Sequence, residues 1–446
     1  MRIVLISTYE LGRQPFGLAS PAAWLRDAGA GVICLDLSRQ PLDEEAVRTA
    51  DAVAFYLPMH TATRLALPVI ARVRQINPTA QLCAYGLYAP VNAEALRKLG
   101  VGTITGGEFE RNLLSLVSGE DAPLISLDRQ QFVTPDRTSL PPLTQYAQLV
   151  MPSGARRTVG YTEASRGCKH LCRHCPVVPV YQGHFRIVQR DIVMSDIRQQ
   201  VAAGAQHITF GDPDFFNGVR HAIELVQAVH DEFPQVSYDV TIKIEHLLQH
   251  HYHLPLLRET GCAFVVSAVE SVDDYVLAHI FDKGHTRAGF VRVVQLFREC
   301  GLVLAPTFVP FHPWMTLTGY VDLLQTIAGL DLVEHVSPIQ LAIRLLVPAG
   351  SRLLELPEAR TVIGEFDAAA LSHVWQHPDP RVDRLQRRLE GAIARAAAAK
   401  QDRRAIFRLV WEMAHEAMDV PAPPLPAVPP GRPRVTIPYL TEPWYC

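Results

Sequence analysis

Cys168, Cys172 and Cys175 stand in the run SRGCKHLCRHCP, three thiols within eight residues. A short loop of that pitch, three residues and then two, can aim three thiolates at three corners of one iron–sulfur cube and leave the fourth iron without a protein ligand. An open metal position is where a substrate or cofactor binds and reacts. The apolar, β-rich segment TVGYTEAS lies just upstream and the helix-like QRDIVMSDIRQQVAAG follows. The loop therefore sits at the exit of a strand, where α/β proteins place their chemistry. The competing reading is a structural zinc knuckle with His170 or His174 as fourth ligand. Zinc sites more often pair two Cys-x2-Cys hooks, or one hook with a distant histidine pair, and this chain has no second hook.

A length of 446 residues suggests about three domains. Apolar residues make up 48% and charged residues 20%, which suits a globular chain with ample core. With 42 basic against 45 acidic residues and no basic block, there is no stripe for a nucleic-acid backbone. The start, MRIVLISTYELG, reads as a strand rather than a signal peptide, and no apolar run reaches bilayer length. Of the other cysteines (Cys34, Cys83, Cys262, Cys300 and Cys446), four fall in apolar or helical segments where a buried thiol is the default. These features point to a reducing cytoplasm, which an oxygen-sensitive cluster also needs.

Over residues 1–125, strand-like runs (RIVLIST, GVICLDLS, AVAFYLP, QLCAYGLY, GTITGG) alternate with helical stretches. That alternation predicts a parallel sheet covered on both faces. Its ligand end comprises the loops 8–20, 57–61, 86–90 and 106–110, rich in Gly, Pro and small polar residues that permit close approach of a large flat ligand. A linker over 126–154 leads to six further strand–helix alternations over 155–350. Their strands are TVGYTEA, HITFGDP, SYDVTIKIE, CAFVVSAVE, LVLAPTFVP and SPIQLAIRLL. Residues 351–420 read as helical, and 421–446 as a proline-rich spacer followed by a tail ending in Cys446. The predicted class is α/β: a doubly wound parallel sheet first, a partial (β/α)6 barrel second, a helical C-terminal region last.

The cysteine run resembles the signature of the radical S-adenosylmethionine (SAM) superfamily, Cys-x3-Cys-x2-Cys after the first strand of a partial barrel. The resemblance implies a 4Fe–4S cluster on Cys168, Cys172 and Cys175 with SAM on the open iron. One electron from an external donor such as flavodoxin or ferredoxin then cleaves a carbon–sulfur bond. It places His174, the residue before the third cysteine, near the adenine. Asp212 and Asp214, at the second strand end with Asn217, fall where the superfamily contacts SAM or substrate, although Asp, Pro and Asn are also ordinary turn residues. Lys243 and Glu245 close the third strand, where a plain salt bridge is the alternative. SAVES, with Ser267, Glu270 and Ser271, is similar to a Gly-x-Glu-Ser segment that reaches the SAM ribose or amino group. RLLVPAGSRL is similar to a Pro-x-Gly-Thr/Ser-x-Leu turn and makes Arg344 a candidate for the SAM carboxylate. Phe311, His312 and Trp314 either line the substrate mouth or belong to the core.

The first domain resembles the cobalamin-binding domain that precedes the barrel in many radical SAM enzymes. The matches fall on Pro15, Gly17, Leu25, Arg26, Gly29, Asp36, Gly107, Glu108 and Glu110. Gly17, Gly107 and Glu108 are thereby candidate cofactor contacts. The Asp-x-His-x-x-Gly motif is absent, and a Rossmann-like domain without its ligand is the alternative. Front and tail together look like a radical SAM group named for a tail with two cysteines, or cysteine and selenocysteine, before Ala-Glu-Pro. Here Glu442-Pro443 stands without the cysteine pair. That group implies a small-molecule substrate and either cobalamin-dependent methyl transfer or transfer of SAM's 3-amino-3-carboxypropyl group to a soft substrate such as an arsenical. It leaves Cys446 as the tail thiol able to take part. A non-catalytic metal-binding regulatory protein is the reading from outside enzymes.

Overall fold

The computed structural model describes residues 1–425 and 437–442. Strands β1 (Arg2–Ser7), β2 (Gly31–Asp36), β3 (Ala52–Tyr56), β4 (Gln81–Tyr85), β5 (Thr103–Gly107) and β6 (Ile125–Ser126) form one sheet in the order β2-β1-β3-β4-β5-β6. Every pairing in it is parallel. One core around Ile6, Phe55 and Ile70 covers one face, and another around Leu5, Leu18 and Tyr85 covers the other. Near-continuous apolar strands are what two covered faces require.

The second sheet contains β7 (Gln148–Val150), β8 (Arg156–Thr162), β11 (His207–Phe210), β12 (Ser237–Thr241), β13 (Cys262–Glu270) and β14 (Leu304–Phe308). Between β8 and β11 lies a short antiparallel hairpin of β9 (Ser165–Gly167) and β10 (Phe185–Ile187). The order is β14-β13-β12-β11-β8-β7-β17, with the five strands from β8 to β14 parallel. This is the α/β architecture the sequence indicates, with two differences. β7 adds an antiparallel strand from within the predicted linker. The sixth barrel strand is reduced to one parallel bridge, Phe311 to Arg344. Its first half is instead a 3-10 turn, Pro338–Leu341. Pro338 has no N–H to give a ladder, and the Gln340 side chain accepts from Phe308 N at 3.1 Å, taking the place of a strand carbonyl.

The region after 350 is not helical throughout. β15 (Ile363–Asp367) and β16 (Ser372–Trp375) form a hairpin whose turn is set by Asp367 Oδ1 accepting from Ala369 N and Ala370 N. Helices Pro380–Ala398 and Arg403–Glu416 then bury Leu385, Leu389, Phe407 and Val410 against the barrel core. The tail returns as β17 (Tyr439–Leu440), antiparallel to β7, so it extends the edge of the barrel sheet. Glu442 reaches the first domain, pairing with Arg39 at 3.4 Å and lying against Gly12. Cys446 and most of the proline-rich spacer lie outside the described residues. Among those described, no helix is long and apolar enough to cross a membrane.

Candidate active site

The chain leaves β8 at Thr162, turns through β9 and enters the cysteine loop at Gly167. That glycine has φ +72°, and a Cβ there would overlap the Tyr181 ring and His184 O. Only glycine meets both conditions without cost. Cys168 N donates to His184 O at 3.0 Å, which locks the loop to the returning hairpin. Asn217 Oδ1 accepts from Lys169 N at 3.2 Å and lies 3.8 Å from Cys168 Sγ, so this side chain holds the first cysteine in place. The middle of the loop is pinned from the opposite side. Arg173 N donates to Phe281 O, and Leu353 N and Ser351 Oγ donate to Arg173 O.

Burial pushes the Cys168 thiol up to about 11 and the Cys175 thiol to about 12. Without a metal these groups hold their protons, and a bound cation takes the protons' place. Three thiolates on one zinc, each about 2.3 Å from it, would lie about 3.8 Å apart. Among the described residues the only three ligand atoms drawn within 4.8 Å of one another belong to Cys168, His170 and Asp214. The three cysteine sulfurs do not form a group of that spacing.

Two buried lysines flank the trio. Lys283 Nζ lies 3.3 Å from Glu270 Oε1, and its ammonium is held above its ordinary range, against the opposing effect of burial, by Glu270, Cys172 and Cys175. Lys243, at the end of β12, pairs with Glu245 at 3.2 Å and faces Cys168. Glu270 has φ +68° beside an irregularity in the β13–β14 register. A non-glycine residue held there by its surroundings is a strained position of the kind found in functional sites. Burial raises its carboxyl, but Lys283 and His174 outweigh that and hold it at about 2. His174 Nε2 lies 3.2 Å from the same Oε1, and its ring is 4.5 Å from Phe281. Ser267 Oγ, Thr162 Oγ1 and His174 Nδ1 are buried without a hydrogen-bond partner. Thr162 ends β8, Ser267 lies in the last half of β13 and His174 is in the cysteine loop, and unsatisfied buried polar atoms of this kind suit a polar ligand that completes them. The donor set therefore fits a cluster with a zwitterionic ligand on it.

Of the candidates read from the sequence, His174 and Glu270 gather on this side of the cysteines, while Ser267 lies within β13, three residues before Glu270. Asp214 lies across the loop, 2.7 Å from His246 Nδ1 and 3.7 Å from His170 Nε2. Asp212 is engaged by the turn into β9 instead: Ser165 Oγ donates to it at 2.5 Å and Ala164 N at 3.0 Å, while burial raises its carboxyl to about 7. Arg344 stacks on Trp375 and donates to Asp383 and Trp375 O, each at 2.6 Å. The turn that follows it holds the cysteine loop through Ser351 and Leu353. Lys283 and His246 were not singled out from the sequence. The signal for Lys283 was a short polar turn, DKGH, directly after an apolar stretch.

In the first domain, Gly17 packs on the Tyr56 ring, and Gly107, at φ +73°, on Ser126 O. Both glycines serve close approach within the chain. Glu108 is buried, which raises its carboxyl to about 7 against the pull of Arg166, and it accepts from Tyr181 OH at 3.2 Å. At the ligand end, Ser7 Oγ and Glu10 Oε2 are buried without partners. Glu108 Oε2 also has no hydrogen-bond partner. These atoms suit an added polar group, and Tyr56, Tyr85 and Phe109 fill the neighbouring space with rings 5.1–5.9 Å apart.

No protein-family model matches the chain, and no curated protein does. Its fold does match solved structures. OxsB, a cobalamin-dependent SAM radical enzyme solved with aqua-cobalamin and SAM, aligns over 89% of this chain and 67% of its own, with TM-score 0.65 and 13% identity. TsrM from Kitasatospora setae, a radical SAM methyltransferase solved with cobalamin and a 4Fe–4S cluster, aligns over 74% of this chain and 70% of its own. Its TM-score is 0.56 and its identity 16%. At such identities the likeness establishes a shared fold: a parallel α/β domain followed by a partial barrel.

Proposed function

We propose that this chain is a radical SAM enzyme that transfers a one-carbon group to a small molecule with the help of cobalamin. The observation that carries the reading is the cysteine loop set beside the buried cluster of Lys283, Glu270 and His174. Cys168, Cys172 and Cys175 would hold a 4Fe–4S cluster, and the loops 8–20, 57–61, 86–90 and 106–110 would face the corrinoid. When bound, these groups supply reductive cleavage of a carbon–sulfur bond and a methyl carrier. The chain's own part is to bind and orient. Lys283 offers a fixed cation to the SAM carboxylate. Glu270, held as a carboxylate at about 2, accepts from the ammonium or ribose hydroxyls. Phe281 and His174 supply a flat wall, and the buried setting excludes water from a reactive species. The electron comes from a small donor protein such as flavodoxin or ferredoxin, and the setting is cytoplasmic.

A second reading has an observation of its own. The Tyr56 ring pressed on Gly17, with Tyr85 and Phe109 packed behind it, leaves the first domain closely packed at its ligand end, which favours transfer of the 3-amino-3-carboxypropyl group without a corrinoid. One experiment separates the readings. The protein is purified anaerobically after cobalamin supplementation, its spectrum is recorded, and it is then reduced with dithionite in the presence of SAM. Corrinoid bands, with S-adenosylhomocysteine and 5′-deoxyadenosine among the products, support the first reading. A cluster band alone, with 5′-methylthioadenosine, supports the second. A colourless, zinc-loaded protein that leaves SAM intact overturns both.

A further inference from the structure

Between the loop after β13 and the loop after β14 lies a recess of 270 Å³ lined by Ser271, Asp273, Asp274, Arg287, His312 and Trp314, among others. Its charge is one-sided. Arg287 is committed to Asp322 through two bonds of 2.7 and 3.0 Å. Asp273 and Asp274 have no ion-pair partner among the described residues. Each uses Oδ1 for the backbone: Asp273 accepts from Tyr275 N and Val276 N, and Asp274 from Arg287 N. Their Oδ2 atoms accept no hydrogen bond from the described residues, so two carboxylates stand in excess along one wall.

His312 gives the recess a built inner end. The residue is 0% exposed, and neither ring nitrogen has a hydrogen-bond partner. Burial keeps the imidazole neutral, with its pKa lowered to about 3, so it adds no opposing charge. A buried ring with an idle donor and an idle acceptor is costly unless a ligand meets it. Trp314, half-buried with its ring 6.1 Å from His312, supplies an aromatic wall of the kind that favours cations. Behind His312 lies the cluster beside the cysteines: its ring is 5.4 Å from Phe281, which packs at a tilt against His174 beside Glu270.

We infer that this recess is the substrate subsite and takes a small molecule bearing an ammonium group, with the cation between Asp273 and Asp274 and a hydrogen-bonding group on His312. Its role as a substrate subsite rests on the radical SAM reading; its binding chemistry does not. The test is calorimetric titration of putrescine, with butane-1,4-diol as the neutral analogue, into the full-length reconstituted protein saturated with SAM. Putrescine should bind at least about 10-fold more tightly than the diol. Asp273→Asn with Asp274→Asn keeps an amide oxygen for each backbone N–H, so the loop stays formed while putrescine affinity falls about 10-fold or more. His312→Phe retains the ring volume and should weaken putrescine by at least about 5-fold. Urea unfolding curves confirm that both variants are folded.

Equal binding of diamine and diol would overturn the inference, as would parent-like affinity in the double variant. Unchanged affinity in His312→Phe would place the cation on surface carboxylates alone, which also overturns it. Displacement of putrescine by SAM would assign the recess to SAM instead. SAM cleavage under dithionite without putrescine reports separately on the proposed function, so the two failures are distinguishable.

Discussion

Arg166 grips both carboxylate oxygens of Glu110 across the boundary between the two sheets, at 2.7 and 2.5 Å. Arg166 lies on β9, two residues before the first cysteine of the trio, and Glu110 lies just past the end of β5. The guanidinium also donates to Glu163 at 2.6 Å and sits between the rings of Phe16, Phe109 and Phe132. Ser20 and Gln130 complete the partners of Glu110. The buried pair fixes the cysteine loop relative to the first domain.

Breaking one side of that pair leaves charge buried. Glu110→Gln is expected to lower unfolding stability by about 3–5 kcal/mol, read from urea curves. Burial raises the Glu110 carboxyl, but Arg166, Ser20 and Gln130 outweigh it and hold the group below its ordinary value. Its contribution is therefore full above about pH 4.3 and is lost as pH falls through the depressed folded value. Below about pH 4.3 the parent should lose stability more steeply than the variant, and parallel curves would refute this.

The cysteine trio makes the simplest claim. Serine at Cys168, Cys172 or Cys175 should reduce bound iron and SAM-derived products to background. Cys262→Ser and Cys300→Ser, in the barrel core and at its margin, should keep both. Retention of cleavage in any of the first three would refute the assignment.

Lys283 and Glu270 should affect SAM more than iron. Removal of a hydrogen bond to a charged group costs about 1.5–3 kcal/mol, so Lys283→Met and Glu270→Gln should each weaken SAM binding about 10- to 100-fold. Iron content should stay near that of the parent. Equilibrium dialysis with labelled SAM checks the first expectation and iron analysis the second; SAM affinity equal to the parent's would remove both residues from the site.

Gly167 and Gly119 make a matched pair with φ of +72° and +75°. A Cβ at Gly119 meets nothing within 4 Å, whereas one at Gly167 overlaps Tyr181 and His184. Gly119→Ala should cost only the backbone strain, about 1–2 kcal/mol. Gly167→Ala should cost more and prevent iron loading, because the loop entry must shift. Normal iron content in Gly167→Ala would show that the loop entry tolerates the shift.

Much of this architecture was legible in short-range patterns. Five of the six strands of the first domain and the first five of the barrel announce themselves as apolar runs between amphipathic helices, since a strand covered on both faces must be apolar at nearly every position. The cysteine spacing is likewise a local fact. SPIQLAIRLL has strand-like composition, and only the Gln340 bond to Phe308 reveals why a full sixth strand is not needed there. The hairpin at 363–375 escaped because its turn rests on Asp367 capping Ala369 and Ala370 in an alanine-rich stretch that otherwise favours helix.

Partners that lie far apart in sequence were beyond such reading. Lys283 meets Glu270 only because β13 bulges and the following turn folds back. Arg166 finds Glu110, fifty-six positions away, only when the two sheets dock. Sequence by itself determined most of the parallel strands and the helices between them, and where three thiols cluster, because those follow from periodicity and spacing along the chain. The tertiary structure alone decided which charges are buried together, which glycines face ligand or protein, and where an unmatched histidine looks into a recess. Those depend on distances that no local pattern encodes.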